Sequence, residues 1–399
     1  MEDSQTLSKL RSELYDELTS NILPYWLKLS DNQNGGFYGQ VDAADILNKQ
    51  ADKGGILHAR ILWTFSSAYR LLGDERYLIA ANHAADYLQN KFIDKRFGGV
   101  YWKLDYSGNP VETKKQIYNL GFAIYGLSEY YRATGNNMAL EHAIQLFKLI
   151  ELYSYDPIYE GYCEAFTREW EEIGDMRLSA KDANEKKTMN THLHVLEAYT
   201  NLFRVWKSPV LKAQLIKILK VFKDKIIDKK THHLGLFFDE SWQLKSDTIS
   251  FGHDIEAAWL LNEAALVTED TDLIREFRSL VCPVVDAGLE GFVVEKGLAY
   301  EFESSISHTD NERHWWVQAE AVVGALEAYK ISGDKKYLLS ALSIWDYIRK
   351  NIIDTEHGEW FWSRLETGET NPVQDKSGFW KCPYHNSRMC MHIYEHFDV

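Results

Sequence analysis

The sequence has 399 residues, of which 45% are hydrophobic, and a formal net charge of −15. This length can bury a large core, and the acidic balance, without a basic stripe, argues against a nucleic-acid partner. Four irregularly spaced cysteines fit neither a disulfide framework nor a paired zinc motif, and neither a signal peptide nor a membrane-spanning run is apparent. We therefore expect a cytoplasmic protein with reduced cysteines that binds neither nucleic acid nor membrane.

Six short segments that combine glycine with aromatic or apolar residues recur along the chain. They are GGFYG at 35–39, GGVYW at 98–102, EGYCE at 160–164, LGLFF at 234–238, EGFVV at 290–294 and GEWFW at 358–362. Their spacing leaves room each time for a hairpin and two helices. Internal repetition on this scale indicates a repeat architecture.

Two kinds of helical pattern alternate between these segments. Helices that are apolar nearly all round, and so typical of an inner layer, are predicted at 57–73, 118–135, 190–206, 252–268, 315–333 and 385–397. More amphipathic helices follow at 76–93, 138–153, 208–228, 271–288 and 335–353, and the N-terminal segment supplies a sixth.

Twelve alternating helices predict an all-α fold, an (α/α)6 barrel of six inner and six outer helices with short β-hairpin or loop segments at one end. The last helix must then lie beside the first pair to close the ring. No Pro-rich or Ser-rich linker interrupts the chain, so we expect one domain over 1–399. An open α-solenoid is the alternative that the same repeats could build.

Polar and charged side chains occur in the first turns of the predicted inner helices, where unpaired burial would cost several kcal/mol. They are Arg60, Tyr118, Asn190, His194, His253, Glu256, Trp316, Glu320, His385 and Arg388. If the inner helices run parallel, these residues converge on one end of the barrel and form a pocket. The thirteen tryptophans of the chain are a weak indication that the ligand is a carbohydrate.

Single residues in this set also have ordinary structural explanations. His58, His192 and His233 are more often hydrogen-bonded core residues, and Arg60 could simply pair with Glu320 or Glu256. His192 and His194 cannot bind one metal ion together, because residues two apart on a helix point about 200° away from each other.

No HEXXH, GxGxxG, P-loop or GxSxG motif is present, so the sequence gives no support for metal, nucleotide or serine-hydrolase chemistry. Histidines, a carboxylate and an arginine can remove a proton α to a carbonyl, stabilise the oxyanion and return a proton. This set fits glycoside hydrolysis less well, because hydrolysis needs two carboxylates that flank the bond.

Five segments carry a family resemblance that covers nearly the whole chain. KGGILHARILWTFS, MNTHLHVLEAYTNL, GHDIEAAWLL, HWWVQAEAVVGAL and WKCPYHNSRMC resemble, in this order, the motifs of the cellobiose 2-epimerases in the N-acylglucosamine 2-epimerase superfamily. The resemblance implies an (α/α)6 barrel. It also implies a cofactor-independent isomerase that inverts C2 of the reducing-end glucose of β-1,4-linked disaccharides, turning cellobiose into glucosyl-mannose and lactose into epilactose.

The resemblance also implies roles for individual residues. His253 and His385 would be the acid/base pair at C2, His194 would help ring opening with Glu256 nearby, and Arg60 would stabilise a cis-enediolate. Substrate-binding residues would be Tyr118, Asn190, Asp182, Trp316, Glu320, Trp380 and Arg388. Asp182 lies in the charged loop 171–189, where the pattern is weakest.

Three other functions remain open at this point. An aldose-ketose isomerase of the mannose/fructose type, or one converting lactose to lactulose, would use the same enediolate. A non-catalytic carbohydrate- or protein-binding member of the superfamily is a second. A glycoside hydrolase, for which Glu256 and Glu320 would be the carboxylate pair, is a third. For the enzyme we expect an oligosaccharide substrate, no cofactor and no metal, and a monomer.

Overall fold

The structure is a computed structural model that describes residues 2–397. Within this range the chain forms twelve helices: α1 (Glu2–Glu17, continued by Leu18–Ile22 and Leu23–Leu27), α2 (Gly55–Leu72), α3 (Glu75–Tyr87), α4 (Ile117–Thr134), α5 (Asn137–Tyr153), α6 (Met189–Val205), α7 (Pro209–Val221), α8 (Phe251–Thr268), α9 (Thr271–Gly288), α10 (Trp315–Ser332), α11 (Lys335–Tyr347) and α12 (Tyr384–His396). Wider π-type turns extend α3, α7 and α11 at Leu88–Phe92, Phe222–Ile226 and Ile348–Ile352. None of these helices is long and apolar enough to cross a membrane.

Two-residue links join an even-numbered helix to the helix after it at four of the five such connections, and the link from α6 to α7 has three residues, 206–208. Gly73 ends α2 in the left-handed conformation (φ 69°), and Asp74 caps α3 by accepting a hydrogen bond from the Arg76 amide. Gly333 and Asp334 repeat this pair between α10 and α11. Glycine tolerates positive φ and aspartate is a favoured N-cap, so the local sequence places each odd-numbered helix back against the helix before it.

The even-numbered helices form a closed inner ring in the order α2, α4, α6, α8, α10, α12 and back to α2, and the odd-numbered helices pack outside it. The closing contact joins α12 to α2, where the rings of Trp63 and Tyr384 lie 5.7 Å apart and the hydroxyls of Thr64 and Ser387 3.3 Å apart. Helix α1 packs on the outer side of α12. The predicted barrel is therefore confirmed over the open solenoid, and the inner helices begin and end within two residues of their predicted bounds.

Short antiparallel strands gather at the N-terminal ends of the inner helices. They are β1 (Gln40–Val41), β2 (Leu47–Asn48), β3 (Lys53–Gly54), β4 (Lys103–Leu104), β5 (Pro110–Glu112), β6 (Lys115–Gln116), β7 (Ala165–Phe166), β8 (Lys187–Thr188), β9 (Phe237–Phe238), β10 (Thr248–Ser250), β11 (Phe292–Val293), β12 (Gly297–Leu298), β13 (Glu301–Glu303), β14 (His308–Asp310), β15 (Arg313–His314) and β16 (Ser363–Arg364). The strands that lead into α2, α4, α6, α8 and α10 each pair with a strand of the following repeat. These pairings join successive repeats at one end of the barrel.

A polar residue in the first turn of each inner helix faces outward and binds the neighbouring hairpin. His58 Nε2 accepts a hydrogen bond from the Phe37 amide at 3.0 Å, and His192 Nε2 accepts one from the Tyr162 amide at 2.8 Å. Asn119, Asp254, Gln318 and Asn386 take the same place on the other four helices, and His233 bonds to Asp254. Burial lowers the pKa of His58 to about 3 and of His192 to about 4, so both rings are neutral and serve the fold.

Buried lysines join the strand ends to the turns of the hairpins. Lys53 Nζ lies 2.7 Å from Asp31 Oδ2, and both side chains are completely buried. Four pairs repeat this arrangement: Lys115 with Asp94, Lys187 with Asp156, Lys376 with Asp354, and Lys381 with Glu359. Because breaking a buried pair leaves one charge uncompensated, these contacts fix the end of the barrel that carries the hairpins.

This arrangement predicts unequal costs for two lysine substitutions in one small sheet. Lys53→Met leaves the buried Asp31 carboxylate without its cation and should lower the free energy of unfolding by about 3–5 kcal/mol. Lys103→Met removes a partly exposed cation 3.4 Å from Glu112 and should cost less than about 1 kcal/mol. Urea unfolding of both variants measures the difference, and equal costs would contradict the structural role of Lys53.

Candidate active site

A cavity of about 420 Å³ opens at the hairpin end of the barrel, where the N-termini of the inner helices converge. Ten of the twelve predicted site residues line it: Arg60, Tyr118, Asp182, Asn190, His194, His253, Glu256, Trp316, Trp380 and His385. They come from all six inner helices, from the loop 171–189 and from the segment before α12. The structure thus brings most of the predicted set into one space.

Helical geometry explains why charged residues point to the barrel axis. The hairpin-binding residue of each inner helix faces outward, and the residue two positions later points about 200° away from it, toward the axis. These axial positions are occupied by Arg60, Gly121, His194, Glu256, Glu320 and Arg388. His192 and His194 show the rule directly, since the first binds a hairpin and the second lines the cavity.

His253 of α8 and His385 of α12 both pack against the indole of Trp316, with ring-centre distances of 4.7 and 5.6 Å. His253 Nδ1 is 2.8 Å from Ser250 Oγ, and His385 Nδ1 is 2.7 Å from Glu320 Oε1. Burial lowers the pKa of His253 to about 3. Burial, followed by the positive charges of Arg60 and Arg388, holds the pKa of His385 well below its usual range. Both rings are neutral near pH 7, and each can accept a proton.

Arg388 forms the floor beneath these histidines. Its Nη2 lies 2.6 Å from one oxygen each of Glu256 and Glu320, and its Nη1 donates to Glu197 and to the Tyr384 hydroxyl. Burial, reinforced by the neighbouring charge of Glu320, raises the pKa of Glu256 to about 7. A single guanidinium thus pairs with three buried carboxyl groups. Because the pKa values of Glu256 and Glu320 are both raised, these carboxyl groups retain protons at a higher pH than exposed ones do.

Two predicted substrate-binding residues do not line the cavity. Glu320 is fully buried and Arg388 is 3% exposed, and their hydrogen bonds go to His385, Glu256, Glu197 and neighbouring side chains rather than into the open space. On their own helices Glu320 follows the cavity-lining Trp316 by four residues, and Arg388 follows the cavity-lining His385 by three. The structure thus places them where they can orient other side chains but not contact a ligand in the cavity.

Arg60 pairs with neither Glu256 nor Glu320, so that alternative is wrong. Its Nη2 donates to the Tyr118 hydroxyl at 2.7 Å, and its guanidinium lies 4.1 Å from the ring centre of Phe122. Its side chain is 3% exposed yet lines the cavity. Arg60 therefore presents a positive charge to the cavity without a carboxylate partner among the described residues.

The loop 171–189 covers one side of the cavity. Asp182 accepts a hydrogen bond from the Ser179 amide at 2.8 Å, and burial raises the pKa of its carboxyl group. A second cavity of about 390 Å³ adjoins the first and shares Asp182, Asn190, His253 and Tyr300 with it. The buried Asn190 Oδ1 has no hydrogen-bond partner within residues 2–397, so Asn190 retains an acceptor where the two cavities meet.

Sequence reasoning missed several residues of the site. Glu197 and Tyr384 belong to the floor, and Tyr300 and Trp362 line the cavity. Glu197 had a readable signal, because a carboxylate three residues after His194 lies on the same helix face. Tyr384 directly precedes His385, but Tyr300 and Trp362 lie in hairpin segments whose orientation no helical periodicity specifies.

Among residues 2–397, two groups of side chains have the donor atoms to hold a metal ion: Glu256 with Glu320 and His385, and Asp45 with Asp354 and His357. Each already contains a cationic side chain, Arg388 in the first and Lys376 in the second. Because these cations neutralise the carboxylates at close range, the donor sets are better suited to ion pairing than to a divalent metal.

A helical barrel with acid/base groups and aromatic rings around one open cavity has the architecture of a carbohydrate-converting enzyme. Residues 36–387 match the N-acylglucosamine 2-epimerase (GlcNAc 2-epimerase) family. The chain is 54% identical to a cellobiose 2-epimerase of Bacteroides fragilis, and the match covers 96% of this chain and 98% of that protein. The structure of the cellobiose 2-epimerase of Bacillus thermoamylovorans superposes with a TM-score of 0.92 at 42% identity, covering 97% of this chain and 99% of that one.

The chain belongs to the N-acylglucosamine 2-epimerase family. Both the family and the isomerase class predicted from the motifs are thereby confirmed. A D-mannose isomerase structure superposes with a TM-score of 0.84 at 20% identity, covering 96% of this chain and 97% of that one, which shows the fold alone.

The raised pKa of Glu256 predicts a pH dependence of stability. Between about pH 4.5 and 7 the folded protein holds a proton on Glu256 that the unfolded chain releases, so this group makes stability fall as pH rises through that window. Glu256→Gln should flatten the decline in urea unfolding at pH 5, 6 and 7. Glu263→Gln is the control, because Arg204 holds the pKa of Glu263 below its ordinary value despite burial, so its contribution is complete above pH 5. An unchanged slope in Glu256→Gln would contradict the raised pKa.

Proposed function

We propose that residues 1–399 form one catalytic domain that epimerises C2 of the reducing-end glucose of β-1,4-linked disaccharides, converting cellobiose to glucosyl-mannose and lactose to epilactose. The observation that supports this most directly is the pair of neutral histidines, His253 and His385, on one indole in the cavity. Inverting a carbon that bears an acidic hydrogen needs one group to remove the proton and another to supply one. The high identity to named cellobiose 2-epimerases supports the substrate class.

Sugar binding and ring opening come first in this mechanism. Trp316 and Trp380 offer aromatic surfaces to the apolar faces of the two sugar rings, and Tyr118, Asn190 and Asp182 offer hydrogen-bonding groups around the cavity. His194 removes the proton of the anomeric hydroxyl and delivers it to the ring oxygen. C1 then becomes an aldehyde, which acidifies the hydrogen on C2.

Proton transfer at C2 follows. One of His253 and His385 removes the C2 hydrogen and leaves a cis-enediolate, whose negative charge the Arg60 guanidinium stabilises. The N-termini of the inner helices add partial positive charge at the same end of the barrel. After rotation about the C2–C3 bond the other histidine, which first takes up a proton from solvent, delivers that proton to C2, and glucose becomes mannose.

Glu320 and Arg388 act in this mechanism by orienting other groups. The 2.7 Å contact of Glu320 with His385 Nδ1 leaves Nε2 as the nitrogen available to substrate. Arg388 holds Glu256 and Glu320 by one nitrogen. This shared bond also disfavours the glycoside hydrolase alternative, because the two carboxyl groups meet at the floor instead of flanking a bond across the cavity.

An aldose-ketose isomerase would use the same enediolate but return the proton to C1. Product analysis separates the two functions, because a mannose-ended disaccharide supports the epimerase and a ketose supports the isomerase. A protein that only binds carbohydrate would cause neither product formation nor deuterium uptake at C2.

The two-histidine mechanism predicts complementary defects in D₂O. His253→Asn and His385→Asn should each lower epimerisation by about 10²- to 10⁴-fold. Because the C2 hydrogens of the two epimers face opposite sides of the enediolate, each variant should still exchange C2 hydrogen in one epimer, and the two variants in different ones. Proton NMR of cellobiose and of glucosyl-mannose with purified protein measures both exchanges.

His357→Asn is the matched control, since His357 is half exposed and lies outside the cavity lining; it should epimerise at the unmutated rate. Loss of exchange from the same epimer in both active-site variants would contradict the assignment of one histidine to each face. Full activity in either variant would refute the pair.

A further inference from the structure

Glu197 is buried beneath the cavity and is not among the residues that line it. It lies one turn after His194 on α6, and its Oε2 accepts a hydrogen bond from His194 Nδ1 at 2.9 Å. The two residues are only 2% exposed. We propose that Glu197 is a positioning residue for His194, which fixes the proton on Nδ1 and presents a free Nε2 to the sugar ring. The proposal rests on the proposed function and concerns its ring-opening step.

The contacts of Glu197 keep it ionised. Burial alone would raise its pKa, but Arg388 and the bond to His194 prevail and hold the pKa at about 2. A carboxylate can only accept hydrogen bonds, so the hydrogen between the two residues belongs to His194 Nδ1. Since Nδ1 faces Glu197, Nε2 is the His194 nitrogen left for a ligand in the cavity.

Ring opening by this nitrogen balances without another reactant. Nε2 takes the proton of the anomeric hydroxyl while the bond from C1 to the ring oxygen breaks and the C1=O1 double bond forms. The ring oxygen leaves with the electron pair and receives the same proton from Nε2. Glu197 stabilises the imidazolium that exists between the two transfers, as carboxylates do in His-carboxylate pairs.

Glu197 also connects the two ends of the catalytic set. Its Oε1 accepts from Tyr384 and Arg388, Arg388 binds Glu320, and Glu320 binds His385. An unbroken chain of hydrogen bonds thus runs from His194 to His385. Loss of Glu197 could disturb either end, so the test must observe ring opening separately from C2 chemistry.

The experiment uses the full chain carrying His253→Asn, in which epimerisation is suppressed, and follows the optical rotation of freshly dissolved α-lactose. Acceleration of this change over the spontaneous rate reports ring opening alone. Adding Glu197→Gln should lower the acceleration about a hundredfold or more, because an amide either donates to Nδ1 and shifts the proton to Nε2, or turns its donors toward Arg388.

Glu129→Gln in the same background is the matched control. Glu129 is 1% exposed and binds Arg70 and Arg132 at 2.8 and 2.7 Å, but it lies outside the cavity lining. The Glu129→Gln variant should still accelerate ring opening as much as its parent, even if its folded state is less stable. An equal loss in Glu129→Gln, or full acceleration in Glu197→Gln, would overturn the proposal.

A spectroscopic readout separates positioning from a purely structural role. In ¹⁵N-histidine NMR, the signals of His194 are identified by their absence from the spectrum of His194→Asn. In the unmutated protein these signals should show the Nδ1–H tautomer, and Glu197→Gln should reduce the population of that tautomer. If Glu197→Gln does not fold, the tautomer of the unmutated protein still decides, because Nε2–H there would overturn the proposal.

Unmutated protein that neither opens the ring nor exchanges C2 hydrogen would refute the proposed function itself. Normal epimerisation with an unaffected Glu197→Gln variant would refute only the role of Glu197.

Discussion

The hydrogen bond between the first turn of each inner helix and the neighbouring hairpin is the contact on which both fold and site depend. At α2 and α6 the donor is a backbone amide, of Phe37 and Tyr162, and leaving such a buried amide unpaired would cost about 1–3 kcal/mol. The bond fixes the rotation of the helix about its own axis. That rotation in turn points the residue two positions later at the barrel axis, so one structural bond orients one functional side chain.

Parallel inner helices also give the barrel two electrostatically different ends. Their C-terminal turns carry Arg70, Arg132, Arg204 and Lys330, which complement the partial negative charge of helix C-termini. Their N-termini meet at the cavity, where partial positive charge and Arg60 favour an anion. An enediolate intermediate fits the cavity end, and the same polarity explains why the opposite end needs its basic residues.

The floor of the cavity shows how a buried charge cluster can serve catalysis. Arg388 binds Glu197, Glu256 and Glu320, and a buried ion cluster of this kind adds little stability relative to apolar packing. Its value lies in fixed positions: Glu197 and Glu320 each hold the Nδ1 of one cavity histidine. The protein thus orients two imidazoles through one guanidinium that does not itself reach the cavity.

The sequence by itself determined the repeats, the helix bounds and the family, because each depends on local signals: glycine and aspartate at turns, apolar periodicity, and short motifs. It favoured a closed barrel, but the contact between α12 and α2 decided against the open solenoid. It also placed ten residues at one helix end, since position in the first turn is readable without coordinates. The roles assigned to those residues stay predictions. Only the tertiary structure decided that Arg60 bonds to Tyr118, that Arg388 and Glu320 lie beneath the cavity, and that Glu197 holds His194. These contacts join helices far apart in sequence, and the depth of a residue along a barrel depends on how six helices align with one another, which no local pattern encodes.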